Sequence, residues 1–357
     1  SGPSDKNLPE PSLQKNLAVM DARQVAPHYG LKTSGVGAEI NKESILLANR
    51  MLTASSNFIS DGLLVSSALM NGNLKEMSTK FPLASDSETE KKLSEGNSRL
   101  VELSHYSGAM FFYGDEWYWG VDRLYLLEGR WRELGLDRNS SETLCFARPA
   151  IEAIKGFGEG HILEFYASLR SPYTAIIFDH VVDFARESGL SLELKPVLPM
   201  VMRGVSLTRQ KGAYIFSDAA REARALGDEF GPFWDPIGEP VRQACSLYPW
   251  AKQEGKHVEF FSAFLSAAFR EGINTMTARG IKHVLQRADL DWNHAWSILG
   301  QSGWEEELET NRLDMYSFGS WGVPTFRLLN SEGKEITWAW GQDRLWFISR
   351  EILKINN

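Results

Sequence analysis

The spacing of apolar positions changes abruptly at one point in the chain. Residues 162–167, Ile-Leu-Glu-Phe-Tyr-Ala, alternate and are rich in β-forming side chains, which predicts a buried strand. From Pro172 the apolar positions recur about every 3.6 residues, which predicts a helix. Ser171 lies at the corner between strand and helix, and a second strand at 192–198 completes a strand–helix–strand unit. A helix N-terminus favours a bound anion such as a thiolate, so this corner is the first candidate site.

The remaining pattern predicts mainly helices, with one pair of short strands in each half of the chain. A short helix is expected within 79–96. Longer helices are expected at 14–29, 42–54, 58–71, 120–136, 211–226, 240–252, 258–271, 277–288, 291–302 and 342–353. Strand pairs are expected within 106–119 and within 322–340, around turns at Gly114 and Gly333.

The two halves share landmarks in the same order. Trp119-Gly-Val-Asp-Arg-Leu matches Trp340-Gly-Gln-Asp-Arg-Leu, and Glu95 and Gly108 are as far apart as Glu309 and Gly322. These matches predict a tandem duplication, with an incomplete unit at 1–137, a linker at 138–160 and a complete unit at 161–357. The first unit lacks a strand–helix–strand counterpart, which is either missing upstream or supplied from elsewhere.

Composition narrows the class of protein. The 357 residues carry a formal net charge of −8, and no basic cluster indicates a nucleic-acid surface. No apolar run approaches the ~18 residues of a membrane span. Cys145 and Cys245 are the only cysteines, and the histidines form no ligand pair, so neither a disulfide framework nor a metal site is expected. We expect a cytoplasmic protein with a small-molecule substrate, although the chain does not begin with Met and a targeting segment could precede it.

In the strand–helix corner at Ser171 and the motifs near its C-terminal end, the second half resembles the DsbA-like thioredoxin superfamily, and within it the branch of 2-hydroxychromene-2-carboxylate isomerases and kappa-class glutathione transferases. The resemblance rests on the strand-Ser-Pro-Tyr corner, the helical insertion, Gly322-Val-Pro-Thr-Phe and Trp340-Gly-Gln-Asp-Arg-Leu, and covers about 162–353. It implies an α/β thioredoxin-like fold with a helical insertion. The first half resembles a fainter copy of the second, in which Met110 stands at the position of Pro324, and it is expected to be inactive.

The resemblance also implies a glutathione site. Ser171 would hold the glutathione sulfur as a thiolate, and Pro324 would follow a cis peptide bond that aims the Val323 backbone at Ser171. Lys211, within a Lys-x-x-Tyr-x-x-x-Asp pattern ending at Asp218, would pair with a glutathione carboxylate.

Gln342 and Asp343 would hold the γ-glutamyl end in the same scheme. The activity implied is glutathione-dependent isomerisation or transfer on an aromatic or conjugated substrate, which could also be anionic. Arg170 departs from the small or apolar residue that the family usually places before the serine.

Simpler roles stay open for these residues. Ser171 and Asp343 are both suited to capping a helix, and Lys211 is equally suited to a solvated helix start. The alternative functions are a non-catalytic thioredoxin-fold binding protein and a DsbA-family oxidoreductase-like protein without its redox cysteines, because Ser171 and Thr174 replace both thiols. The two units could also pack as an intramolecular pseudo-dimer, or two chains as a homodimer.

Overall fold

The computed structural model describes residues 11–33, 35–37, 39–138 and 141–355. The chain divides into two compact units, one mainly Lys15–Met110 and the other mainly Phe111–Asn357. The larger unit therefore begins inside the first strand pair, earlier than the expected linker at 138–160.

Helices make up the regular structure described in the smaller unit. They are α1 (Pro11–Val25, which enters this unit at Lys15), α2 (Lys42–Ala54), α3 (Phe58–Met70), α4 (Leu74–Ser78) and α5 (Asp86–Glu102). A small apolar core holds α2, α3 and α4 together through Ala48, Met51, Val65, Ala68 and Leu74.

Helix α5 differs from the short helix expected within 79–96. It starts at a capping box, in which Ser85 Oγ accepts from the Glu88 amide and the Glu88 carboxylate accepts from the Ser85 amide. This box satisfies two backbone donors at the helix start, so a largely exposed helix with few apolar residues extends to Glu102.

The larger unit contains the sheet. Its elements are β1 (Met110–Tyr113), β2 (Glu116–Trp119), α6 (Leu124–Glu133), β3 (Ile162–Ala167), α7 (Pro172–Ser188), β4 (Ser191–Pro196), α8 (Arg209–Leu226), α9 (Glu239–Gln253), α10 (His257–Phe269), α11 (Ala278–Arg287), α12 (Trp292–Ile298), α13 (Glu305–Ser317), β5 (Thr325–Leu329), β6 (Glu335–Trp340) and α14 (Leu345–Ile355). Short 3₁₀ turns at Val121–Arg123 and Gln342–Arg344 lead into α6 and α14.

Four of these strands form one mixed sheet, in the order β4-β3-β5-β6. Strand β3 runs parallel to β4 and antiparallel to β5, with Phe165 opposite Phe326. One face, with Phe165 and Leu328, belongs to a large apolar core that α7 and the mostly buried α10 complete. The strand–helix–strand, helical-insertion and helix–hairpin–helix order predicted for the second half is confirmed.

Residues 134–138 and 141–161 contain no helix or strand. Strands β1 and β2 form a separate two-stranded sheet before this segment. The duplication stays a prediction, although the elements from α1 to α6 follow an order similar to those from α8 to α14. No helix in the described part of the chain is both long and apolar enough to cross a membrane.

Candidate functional site

Four loops of the larger unit meet at one edge of the sheet. Tyr166 pairs with Thr325, so the end of β3 lies beside the start of β5. The Val197 amide donates to the Ala167 carbonyl at 2.8 Å, and Trp340 at the end of β6 lies opposite Thr325. The loop that carries Ser171, the loop after β4, the loop before β5 and the turn after β6 are therefore neighbours.

Ser171 is the N-cap of α7. Its Oγ accepts from the Thr174 amide at 3.1 Å, and Pro172 occupies the first helical turn, where a missing N–H costs nothing. The capping role that the sequence left open is therefore present. Ser171 is partly exposed whereas Thr174 is fully buried, so a ligand reaching this corner would meet Ser171.

The loop before β5 presents free backbone next to this corner. The Val323–Pro324 peptide bond is cis, and Pro324 is buried. The Pro324 carbonyl accepts from the Gly341 amide at 3.0 Å, but neither the Val323 amide nor its carbonyl has a partner among the backbone bonds of the described residues. An extended peptide could pair with these two groups as an added strand does.

Lys211 lies in the first turn of α8. Residues spaced three, four or seven apart share a helix face, so Lys211 projects from the face that carries Tyr214 and Asp218. That face is turned towards the start of α7, because Tyr173 Oη donates to Asp218 at 2.8 Å. Burial lowers the pKa of the Lys211 ammonium, and no carboxylate pairs with it in the described part of the chain. A half-buried cation without a counter-charge is suited to an anionic ligand.

Gln342 and Asp343 lie in the turn before α14 and already bind other side chains. Gln342 is almost fully buried; it accepts from Arg148 at 3.0 Å and donates to Glu222 at 2.6 Å. Asp343 Oδ2 accepts from Arg123 at 2.6 Å, and Oδ1 lies 3.3 Å from Arg344. These two residues are thus brought to the predicted edge but are engaged with residues of the chain itself.

Burial would raise the pKa of Asp343, but Arg344 and Arg123 hold it well below its ordinary value. The tight turn before it requires a glycine, because Gly341 has φ +115° and an added Cβ would lie 2.7 Å from Asp343 Oδ1. Asp343 is therefore a partly buried carboxylate that is ionised at neutral pH.

Arg123 is the central residue that sequence reasoning missed. Its Nε and Nη2 donate to Asp218 at 3.0 and 2.9 Å, its Nη1 donates to Asp343, and Glu222 lies 3.3 Å from its Nε. Only 6% of the Arg123 side chain is exposed. Arg123 thus links α8, the turn before α14 and, through Asp218, the start of α7.

Around Arg123 the charges balance. The cluster contains equal numbers of carboxylates and guanidinium groups: Asp122, Asp218, Glu222 and Asp343 with Arg123, Arg148, Arg221 and Arg344. The repeated Asp-Arg dipeptides exchange partners, since Arg344 pairs with Asp122 at 2.9 Å while Arg123 pairs with Asp343. The repeat of Trp-Gly-x-Asp-Arg-Leu was the sequence signal for this cluster, but its pairing depends on tertiary structure.

Arg170, which departs from the family pattern, is also paired within the chain. Its guanidinium donates two hydrogen bonds to Asp235, at 2.8 and 2.7 Å. Among the described residues no group of three His, Cys, Asp or Glu side chains is placed to hold a metal ion.

A four-stranded mixed sheet, a helix beginning at a Ser-Pro corner and a cis-proline loop beside that corner define a thioredoxin-like protein with a helical insertion. The sequence model of the DSBA-like thioredoxin domain matches residues 162–353, more than half of the chain. The chain belongs to this family, as the resemblance predicted. No curated protein matches the chain.

Solved structures with a similar fold include three that differ in their described activities. A 2-hydroxychromene-2-carboxylate isomerase shares 18% identity at a TM-score of 0.46, over 55% of this chain and 96% of that one. A probable DsbA oxidoreductase from Streptomyces coelicolor shares 15% sequence identity at a TM-score of 0.41, over 54% of this chain and 90% of that one. The cytosolic disulfide reductase DsbM from Pseudomonas aeruginosa shares 16% sequence identity at a TM-score of 0.41, over 55% of this chain and 100% of that one.

Proposed function

We propose that the larger unit is a glutathione-dependent isomerase or transferase, and that the thiol of glutathione binds at Ser171. The observation that carries this proposal is Lys211, a half-buried ammonium on the helix face next to the Ser171 corner that has no carboxylate partner among the described residues. Its ammonium could form a charge-assisted bond with the carboxylate at the glycine end of the peptide, and the Val323 amide and carbonyl could form two further hydrogen bonds with the peptide backbone. A thiol peptide needs groups of these types.

Ser171 and the start of α7 would hold the thiol as a thiolate. The helix dipole and the serine hydroxyl both favour the anion, which is the nucleophilic form. In an isomerisation the thiolate adds to a conjugated double bond, and the displaced electron pair moves onto the conjugated carbonyl. After rotation about the resulting single bond, the pair returns, the carbon–sulfur bond breaks and the thiolate is released unchanged.

The experiment is a calorimetric titration of glutathione into the wild type, Ser171→Ala, Lys211→Ala and the exposed control Lys334→Ala. We expect Lys211→Ala to weaken binding about tenfold or more, because charge-assisted hydrogen bonds contribute ~1.5–3 kcal/mol. Ser171→Ala should raise the pKa of the bound thiol, followed by thiolate absorbance. Equal affinity of Lys211→Ala and Lys334→Ala would contradict the assigned role of Lys211.

A non-catalytic thioredoxin-fold binding protein is the second candidate. The observation that favours it is the pairing of Asp343 with Arg123 and Arg344, which satisfies both carboxylate oxygens without a ligand. No heat and no thermal shift with millimolar glutathione would reject the enzyme and leave this candidate. A dithiol oxidoreductase has no support, because neither Ser171 nor Thr174 can form a disulfide.

A further inference from the structure

Three acidic side chains of the larger unit form a buried pocket around one guanidinium group. Asp218 and Glu222 come from one face of α8, and Asp343 comes from the turn before α14. Asp218 and Glu222 have no exposed side-chain surface, and Asp343 has 18%. Burying three carboxylates together is costly unless a cation neutralises them, and Arg123 is placed among all three.

All three nitrogen atoms of the Arg123 guanidinium group have partners in this pocket. Two of its nitrogen atoms contact Asp218, and the third donates to both Asp343 and the Asp122 carbonyl. The planar fork of an arginine matches carboxylates in this way, which a lysine could not reproduce. Little donor capacity remains for another group.

The same pocket is where the family resemblance expects the γ-glutamyl end of glutathione. That end carries an ammonium group, which would need an oxygen atom of Asp343. Oδ2 of Asp343 accepts from Arg123 and Oδ1 faces Arg344, while the amide of Gln342 is taken up by Arg148 and Glu222. A second cation could enter only if Arg123 left, and this would leave Asp218 without its bidentate partner.

We propose that Arg123 is the built-in occupant of the Asp218–Glu222–Asp343 pocket, and that the protein recognises a cysteinyl-glycine thiol without using its γ-glutamyl group. The second part rests on the proposed function; the first part does not. Gln342 and Asp343 then hold Arg123 and Arg148 instead of the ligand, and the specificity of the site lies in Ser171, Val323 and Lys211.

The specificity is tested by comparing glutathione with N-acetylcysteinylglycine, in which an acetyl group replaces the γ-glutamyl group. We expect dissociation constants within about threefold of each other, since an ammonium–carboxylate contact would be worth about tenfold or more. A larger preference for glutathione would overturn the claim. Binding of neither thiol would overturn the proposed function and the specificity claim together.

The occupancy of the pocket is tested separately, by chemical rescue. Arg123→Ala leaves a cavity lined by three carboxylates, so millimolar methylguanidinium chloride should raise its unfolding temperature saturably by several degrees relative to equal sodium chloride. The wild type and the control Arg130→Ala, which removes a more exposed arginine of α6, should not respond in this way.

A response that is the same in all three proteins would overturn the claim that Arg123 fills a cation site. If Arg123→Ala does not fold alone, its recovery on refolding with methylguanidinium is measured against refolding with sodium chloride. Equal recovery in the two salts would also overturn the claim. Because no glutathione or other thiol is added in this assay, its outcome is independent of whether glutathione binds.

Discussion

Asp218→Asn is the substitution that tests most directly how the Arg123 cluster stabilises the larger unit. Asp218 is fully buried and accepts hydrogen bonds from Arg123, from Arg221 at 3.0 Å, from Tyr173 and from Tyr214 at 3.3 Å. Burial alone would raise the pKa of this carboxyl group, but Arg123 holds it below its ordinary value, so Asp218 is ionised at neutral pH.

Asparagine has nearly the same shape but no charge, and one of its two terminal atoms is a donor that would face guanidinium donors. Two buried arginines would lose their shared counter-charge, so we expect a loss of about 3–5 kcal/mol in the free energy of unfolding. The matched control is Asp183→Asn, which breaks an exposed pair with Arg186 and should change stability by less than about 0.5 kcal/mol.

The assay is equilibrium urea unfolding at neutral pH, followed by circular dichroism. A loss below about 1 kcal/mol in Asp218→Asn, or a loss equal to that of Asp183→Asn, would refute the reasoning, because a buried charge network cannot be that insensitive to its central acceptor. A double-mutant cycle with Tyr173→Phe should show a coupling of about 0.5–3 kcal/mol, as expected for directly bonded side chains.

Three further predictions concern other parts of the larger unit. Gly322→Ala should cost about 1–3 kcal/mol in thermal unfolding, because its Cβ would lie 2.7 Å from the Trp340 indole nitrogen. The stability advantage of the wild type over Asp343→Asn should be constant above the ordinary Asp pKa of 3.8 and shrink as pH falls below it, since the folded-state pKa is lower. A thiol reagent should modify exposed Cys145 in the native protein but not Cys245, whose pKa is raised to about 12 by burial.

Each of these predictions has a result that would contradict it. Gly62→Ala, in a helix with no atom within 4 Å of the added Cβ, should stabilise by about 0.5–1 kcal/mol, so an equal effect at Gly322 would exclude the clash. A pH-independent difference for Asp343→Asn would mean that its carboxylate is not stabilised by the arginines. Equal reaction rates of both thiols before denaturation would contradict the burial of Cys245.

Local sequence signals predicted the bounds of those helices and strands whose apolar pattern is clear and ends at a distinct residue. Strand β3 has the predicted bounds, since its β-forming run ends before a Ser-Pro pair that suits the first turn of a helix, and α2 likewise has its predicted bounds. Helix α5 was predicted too short because its apolar residues are sparse. Its true start was nevertheless encoded in Ser85 and Glu88, whose spacing forms a capping box.

The candidate site divides in the same way. The sequence by itself determined the strand–helix–strand unit, Ser171 at the helix start and the Gly322-Val-Pro loop, because these depend on backbone preferences over a few residues. Only the tertiary structure decided what Asp343 and Gln342 contact, since Arg123 lies 220 positions before Asp343 and 95 before Asp218. Ion pairs between residues so far apart in the sequence produce no periodic pattern along the chain. Buried carboxylates need a cation nearby, and only the assembled fold determines which arginine lies close enough to provide it.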